Sequence, residues 1–152
     1  MSTPLVFDLP TRRATIKLAQ RLAPALAAGD LVILSGALGA GKTFFVRALC
    51  RALGLPEKIR VTSPTFTLVQ EIDTRPRIVH ADLYRLSTPR DVTNLGLDSY
   101  RYNGDLLLVE WGEPYQTELG GDALLLNFSL SPRKASFTSS GPRSLAIASA
   151  LR

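Results

Sequence analysis

The segment Gly36-Ala37-Leu38-Gly39-Ala40-Gly41-Lys42-Thr43 decides the fold class of this chain, because it matches the pattern G-x-x-x-x-G-K-[ST] at every fixed position. In this pattern the glycines let the backbone curl, so that successive N–H groups point at an anion. The following helix directs its N-terminus at the same anion. The lysine reaches the β- and γ-phosphates, and the threonine hydroxyl is a ligand of Mg²⁺. The sequence therefore predicts a loop that binds the phosphates of a nucleotide together with Mg²⁺.

The loop stands between a predicted strand and a predicted helix, which is the context that its chemistry requires. Residues 31–35 form a short apolar run typical of a strand buried on both faces. Residues 44–53 carry apolar side chains at helical spacing, and Gly54 and Pro56 then end the helix. The residues expected to contact the nucleotide in this region are Gly39, Ala40, Gly41, Lys42, Thr43 and Phe44.

Strands and helices are predicted to alternate over the rest of the chain. A helix capped by Thr11 is expected before the loop and is expected to end at Gly29. This alternation indicates an α/β fold, a P-loop NTPase-like arrangement with a mainly parallel sheet flanked by helices. The length of 152 residues predicts one compact domain over residues 1–152. The further elements are predicted strands at 65–72, 77–82, 106–109 and 123–130, an edge strand around Phe137, and helices at 89–95 and 142–151.

Composition excludes several classes of protein. The single cysteine, Cys50, cannot form an internal disulfide, and with only one histidine, His80, the chain cannot build a zinc site from Cys and His ligands. No apolar run approaches the roughly 18 residues that a membrane span needs. We therefore expect a cytoplasmic protein that does not enter a membrane.

The charged residues are unevenly distributed. Residues 1–60 carry nine basic and three acidic side chains, residues 61–132 carry five and ten, and residues 133–152 carry four and none. A basic N-terminal third and a basic tail suit an anionic partner such as a nucleotide or RNA, although solvated helix faces have the same composition. Arg47 and Arg51 lie four residues apart on the helix after the loop and are candidates for such a contact.

Two carboxylates are candidates for the metal site. A phosphate-binding loop needs a carboxylate at the carboxyl end of a neighbouring strand, to hold Mg²⁺ directly or through water. Asp82 and Glu110 each follow an apolar strand, and ligands bind at this edge of open α/β sheets. Lys42, Asp82 and Glu110 are therefore the candidate catalytic residues, with the roles of the two acids left open. His80 lies inside an apolar run and is expected to be a core histidine rather than a catalytic one.

Four motifs, taken in order, resemble those of the TsaE family, formerly called YjeE. They are the phosphate-binding loop, SPTFTLV at 63–69, HADLYRL at 80–86 and VEW at 109–111. Members of this family are bacterial ATPases required for threonylcarbamoyladenosine modification of tRNA. The resemblance implies that the chain binds ATP or ADP with Mg²⁺ and hydrolyses ATP weakly when alone. It also implies action with the TsaB and TsaD subunits, in which hydrolysis resets the complex, and contact with tRNA either indirectly or through the basic surface.

The resemblance assigns roles to residues around the loop. Thr43 and Glu110 match the metal-site residues of the family, and Asp82 matches an aspartate near its catalytic centre. Thr11 and Arg133 fall where the family contacts the nucleotide.

Three further positions match family features that concern switching and partners. Trp111 matches a tryptophan important to family function, and Thr65 and Thr67 lie in a switch-like loop, although the same residues also suit a plain turn. The chain departs from the family at Ala37, because most members have an acid immediately after the first glycine of the loop.

Two other functions fit a phosphate-binding loop. One is a nucleotide-gated binding module, whose occupancy rather than turnover changes its affinity for a partner; Ala37 favours this alternative. The other is a small-molecule kinase, against which the chain shows no arginine-rich lid segment and no acceptor-binding motif. A GTPase is disfavoured because the guanine motif N-K-x-D is absent.

Overall fold

The computed structural model describes residues 4–37, 39–62, 64 and 68–152, and within them seven strands form one sheet. The strands are β1 Leu5–Asp8, β2 Leu31–Gly36, β3 Val69–Ile72, β4 Ile78–Asp82, β5 Leu106–Glu110, β6 Ala123–Leu130 and β7 Arg133–Ser139. Their spatial order is β1-β7-β6-β2-β5-β4-β3.

The α-helices connect these strands and cover the sheet. They are α1 Arg12–Leu22, α2 Lys42–Ala52, α3 Pro89–Leu95, α4 Leu97–Tyr102 and α5 Pro142–Ala150. Short 3-10 turns lie at Ala23–Ala25 and Glu113–Tyr115. In the part of the chain that the structure describes, no helix combines the length and the apolar character needed to cross a membrane.

The centre of the sheet is parallel and its outer strands are antiparallel. β6, β2, β5 and β4 run parallel, whereas β7, β1 and β3 pair antiparallel with their neighbours. Every residue of β4 and β5 is buried, as is Leu31–Leu34 of β2, because helices cover both faces. The prediction of an α/β fold with a mainly parallel sheet flanked by helices is therefore confirmed.

Two hydrophobic clusters fill the space between the sheet and its helices. Alternate residues of each strand point to opposite faces, so Val32 and Leu34 of β2 pack with α1, α2 and α5, whereas Leu31 and Ile33 pack with α3 and α4. The phosphate-binding loop joins β2 to α2 and so belongs to the first of these faces.

Two predicted boundaries are wrong for local reasons. The helix α1 ends at Leu22 and not at Gly29, since Pro24 has no N–H to continue the α-helical pattern and a 3-10 turn follows instead. The strand predicted at 65–72 is observed only from Val69, because Leu68 has a φ of +67° and leaves the extended conformation. Residues 65–67 lie outside the described residues.

The predicted edge strand at Phe137 is also wrong. It belongs to β7, which pairs with β6 on one side and with β1 on the other, so β1 is the strand at that edge of the sheet. The prediction did not include β1, which is four residues long, or α4, which follows α3 directly at Gly96. The other predicted strands and helices are confirmed.

Gly36 is the point at which the chain leaves β2 for the loop. Its φ is +129°, and a Cβ built there would lie 2.3 Å from the carbonyl oxygen of Phe128 on the neighbouring strand β6. Only glycine avoids this clash, so the close pairing of β2 with β6 depends on this residue.

We expect Gly36→Ala to lower the free energy of unfolding by roughly 1–3 kcal/mol more than Gly54→Ala, because it adds overpacking to backbone strain. Gly54 is the matched control, since its φ is +100° and an added Cβ would meet nothing within 4 Å. Urea unfolding of the two variants measures the difference. Equal losses would show that the Phe128 carbonyl moves aside without cost.

Candidate nucleotide and metal site

A cavity of about 360 Å³ opens beside the phosphate-binding loop. The N-terminus of α1, the end of β6 and the start of β7 form its other walls. This volume lies within the range of small-molecule sites. The predicted nucleotide-contacting residues that line the cavity are Thr11, Gly39, Ala40, Gly41, Phe44 and Arg133. Residues far apart in the chain therefore meet at one cavity.

Strand pairing brings Thr11 and Arg133 together. β1 pairs with β7, and the N–H of Leu9 donates to the carbonyl of Arg133 at 2.9 Å. Two residues further on, Thr11 caps α1 by accepting from the N–H of Ala14 at 3.1 Å. Across the cavity, a Cβ on Gly41 would lie 3.8 Å from a guanidinium nitrogen of Arg133. Arg133 therefore lies against the phosphate-binding loop and supplies a cation there.

The loop itself has the backbone geometry of an anion cradle. Gly39 and Gly41 have φ values of +80° and +106°, which residues with a side chain rarely adopt. Gly41 is the N-cap of α2 and provides no side chain to accept from the first N–H groups of that helix. Those N–H groups and the helix dipole suit a phosphate, so the loop fits the phosphates of a nucleotide.

Lys42 is buried although it is charged, with 4% of its surface exposed. Its Nζ donates to the carbonyl of Gly36 at 2.5 Å and lies 3.8 Å from the ring centroid of Trp111. Burial lowers the pKa of Lys42, and the attraction of Glu110, Glu113 and Asp82 offsets this only in part. The lysine therefore lies in a site shielded from water, where its charge acts strongly on a bound anion.

Asp82 and Glu110 lie side by side at the carboxyl ends of β4 and β5. The two residues are register partners, and 7% and 4% of their surfaces are exposed. Oδ1 of Asp82 accepts from the N–H of Tyr84 at 3.0 Å. The structure thus brings both predicted acids to the end of the sheet at which Lys42 lies.

His80 contacts a predicted site residue, Glu110, a contact that the sequence pattern does not indicate. The expectation of a core histidine is confirmed by its complete burial, but its Nε2 also lies 2.7 Å from Oε2 of Glu110. The signal was present in the spacing of the strand, since His80 and Asp82 are two residues apart and share one face. Only the register between β4 and β5 shows that Glu110 joins them.

The donor groups fit Mg²⁺ when it binds together with phosphate. Among the described residues, no group of three or more His, Cys, Asp or Glu side chains could hold a metal ion by itself. Magnesium at nucleotide sites is bound by one or two protein oxygens and completes its shell with phosphate oxygens and water. Thr43, which follows Lys42 on α2, Glu110 and Asp82 are hard oxygen donors of this kind.

The ring of Trp111 contacts Lys42 and also the exposed ring of Tyr84. Its φ is +62°, which turns the chain at the end of β5, and its N–H donates to the carbonyl of Leu34 at 3.3 Å. The ring centroid lies 4.9 Å from that of Tyr84, a side chain that is 54% exposed. The other predicted switch or partner residues, Thr65 and Thr67, lie outside the described residues.

Arg47 and Arg51 have partners within the chain. Nε of Arg47 donates to the carbonyl of Val61 at 2.9 Å, and Arg51 donates to the carbonyl of Pro56. These bonds tie α2 to the segment that follows it. A contact of the two arginines with RNA or another partner stays a prediction.

Comparison with known proteins identifies relatives of this chain. A family model described as Threonylcarbamoyl adenosine biosynthesis protein TsaE matches residues 9–136. The tRNA threonylcarbamoyladenosine biosynthesis protein TsaE of Rickettsia felis is 43% identical over 106 residues, which are 69% of this chain and 61% of that protein. This match therefore spans less than two thirds of the relative's length.

Two further comparisons agree with it. The protein of the same name from Streptomyces coelicolor is 45% identical over 114 residues, which are 72% of this chain and 75% of that protein. The crystal structure of Bacillus subtilis YdiB is similar with a TM-score of 0.78 at 27% identity, over 99% of this chain and 95% of that one.

The contact between Lys42 and Trp111 can be tested by fluorescence, because Trp111 is the only tryptophan of the chain. We expect Lys42→Met to raise the emission intensity of the free protein, since an ammonium group against an indole quenches its fluorescence by proton transfer. Lys17→Met is the matched control, because Lys17 is exposed on α1. An identical spectrum in all three proteins would show that the lysine does not rest on the ring.

Proposed function

The chain belongs to the TsaE family of threonylcarbamoyl adenosine biosynthesis proteins, and from this premise we propose that it is a Mg²⁺-dependent ATPase acting in that tRNA modification. The observation that carries the proposal is the meeting of Lys42, Asp82 and Glu110 at one end of the sheet, beside the phosphate-binding loop. A lysine, two carboxylates and a backbone anion cradle are the groups that hydrolysis of a phosphoanhydride needs.

The proposed reaction is in-line attack of water on the γ-phosphorus of ATP. The bond to the β-phosphate oxygen breaks, and the products are ADP and inorganic phosphate. Lys42 binds β- and γ-phosphate oxygens and stabilises the charge that develops on them. When bound, Mg²⁺ neutralises the same charge, and Thr43 and Glu110 are the residues that hold it. Asp82 orients the attacking water.

The cavity beside the loop is the proposed site of the nucleoside. Arg12 lies with its guanidinium carbon 5.5 Å from the ring centroid of Phe44, and both residues line this cavity with Thr11 and Arg133. A flat aromatic face and a guanidinium plane suit a purine ring by stacking. The basic side chains suit the phosphates.

The proposed partners are the TsaB and TsaD proteins, which the resemblance of the motifs implies. Tyr84 and Trp111 support a protein contact near the site. The exposed ring of Tyr84 packs against the ring of Trp111, which in turn contacts Lys42 of the phosphate-binding loop. Tyrosine and tryptophan are enriched at protein interfaces. Contact with tRNA, indirectly or through the basic surface, belongs to the same proposal, as does a cytoplasmic location.

A nucleotide-gated binding module is the second candidate. It is favoured by Ala37, which stands where most family members have an acid. The phosphate cradle uses backbone N–H groups and is not changed by this residue, so binding of nucleotide is expected in either case. The two candidates differ only in turnover.

ATP hydrolysis measured with Mg²⁺, alone and with TsaB and TsaD, decides between them. We expect slow turnover alone and faster turnover with the partners. Lys42→Ala and Glu110→Ala are each expected to reduce the rate by about 100-fold, because each removes stabilisation of charge in the transition state. Lys17→Ala, at an exposed position on α1, is the control that should keep the full rate. Binding of ATP without stimulated turnover would favour the binding module.

The affinity for ADP is expected to fall as the pH rises through the alkaline range. Burial lowers the pKa of Lys42 below its usual value of 10.5, so the free protein loses this positive charge earlier than an exposed lysine does. Phosphate raises the pKa again in the complex, and binding above the lowered pKa must therefore take up a proton. The dissociation constant then increases by up to about tenfold per pH unit.

Titration calorimetry at several pH values measures this dependence. In Lys42→Arg the guanidinium stays protonated throughout, so its affinity is expected to change little over the same range. Parallel pH profiles for the two proteins would contradict the assignment of Lys42 as the phosphate-binding cation.

A further inference from the structure

His80 makes one hydrogen bond and leaves one buried nitrogen without a partner. The side chain is fully buried in β4, and its Nε2 lies 2.7 Å from Oε2 of Glu110. Within the described part of the chain, its Nδ1 is a buried atom with no hydrogen-bond partner. The same holds for Oε1 of Gln70, the register partner of His80 on β3.

A histidine at this position is costly for the fold. On this face, Ile78 of β4 and Leu106 and Leu108 of β5 are buried and apolar, so their side chains leave no polar atom unsatisfied. A buried nitrogen without a hydrogen bond destabilises the folded state. An apolar residue of similar volume would avoid this cost, so packing and stability do not explain the imidazole. What the ring provides, among the described residues, is its bond to Glu110.

The direction of this bond follows from the chemistry of its two partners. An ionised carboxylate can only accept, so Nε2 of His80 carries the hydrogen and donates it to Oε2 of Glu110. When Nε2 carries the only hydrogen on the ring nitrogens, Nδ1 needs no acceptor, which agrees with the absence of an acceptor beside that atom in the described residues. The bond holds one oxygen of Glu110 and leaves Oε1 to act as a ligand.

We infer that His80 is a positioning residue, which fixes the orientation of the Glu110 carboxylate so that its second oxygen is directed at the metal bound with the nucleotide. This inference rests on the proposed function, because it assigns Glu110 to the Mg²⁺ site. A group that already holds a ligand in position reduces the entropy that is lost when the metal binds. Loss of such a group commonly weakens metal affinity 10- to 100-fold. His80 acts through Glu110 and needs no contact with the nucleotide.

A pair of substitutions separates this role from a purely structural one. In His80→Gln the amide nitrogen reaches nearly as far as Nε2 and can still donate to Glu110. In His80→Asn the amide nitrogen lies near the position of Nδ1 in the histidine ring. It is therefore too far from Glu110 to donate a hydrogen bond to it. Both variants bury a polar amide in the same strand, so they are matched in polarity and differ in reach.

The measurement is the affinity of the ADP-loaded protein for Mn²⁺, followed by electron paramagnetic resonance of the free ion. We expect His80→Asn to weaken it by 10- to 100-fold and His80→Gln to weaken it less than threefold. The affinity for ADP without metal should stay unchanged in both. Equal losses in the two variants, or an equal loss of ADP affinity without metal, would overturn the inference and leave a structural role.

The single histidine of the chain permits a second test that needs no ligand. Nitrogen NMR of the free protein, labelled with ¹⁵N in histidine, reports which ring nitrogen carries the hydrogen. We expect a hydrogen on Nε2, and a changed Nε2 signal in Glu110→Gln. A ring protonated at Nδ1 alone would overturn the inference whatever the protein binds. A wild-type chain that binds no ADP would overturn the proposed function, while this spectrum still decides whether His80 orients Glu110.

Discussion

The parallel pairing of β4, β5 and β2 is the constraint on which the site depends. Both faces of these strands are buried, so a slip of one residue would move apolar side chains from one cluster to the other and is strongly disfavoured. The register that results aligns Asp82 with Glu110 and Glu110 with Leu34. Two residues beyond Leu34, the chain turns at Gly36 into the phosphate-binding loop. The hydrophobic core thus fixes where the carboxylates stand relative to Lys42.

The charges of the site are buried together, and each therefore depends on its neighbours. Burial lowers the pKa of Lys42, whereas the two nearby acids and Glu113 act in the opposite direction. Nε2 of His80 lies 2.7 Å from Oε2 of Glu110 on the core side of the same cluster. Three carboxylates face one lysine in this cluster, so it suits a phosphate that binds together with a divalent cation. Removal of Lys42 would leave the buried carboxylates Asp82 and Glu110 without this cation, which is costly in a buried site.

Local patterns predicted most of the central elements but not the edges of the sheet. β5 and β6 are apolar runs of strand length, and the glycine-rich loop follows a strand and opens a helix, so each carries its own signal. β1 has only four residues and is a strand because β7 pairs with it. Because β1 pairs with β7, Phe137 lies in an interior strand, although the sequence around it is predicted to form an edge strand. The sequence pattern predicts an end of α1 at Gly29, whereas the helix ends at Leu22, because Pro24 cannot continue its hydrogen bonds.

Spacing along the chain is enough to identify the phosphate-binding loop, the α/β class and four site candidates, namely Lys42, Thr43, Asp82 and Glu110. Which distant groups meet depends on the three-dimensional fold. The pairing of β1 with β7 brings Thr11 and Arg133 to the wall of the same cavity. The fold also places the ring of Trp111 against Lys42. It also joined His80 to Glu110, 30 residues away. Periodicity shows which face of a strand a residue occupies, but strand order and register determine its neighbours on that face.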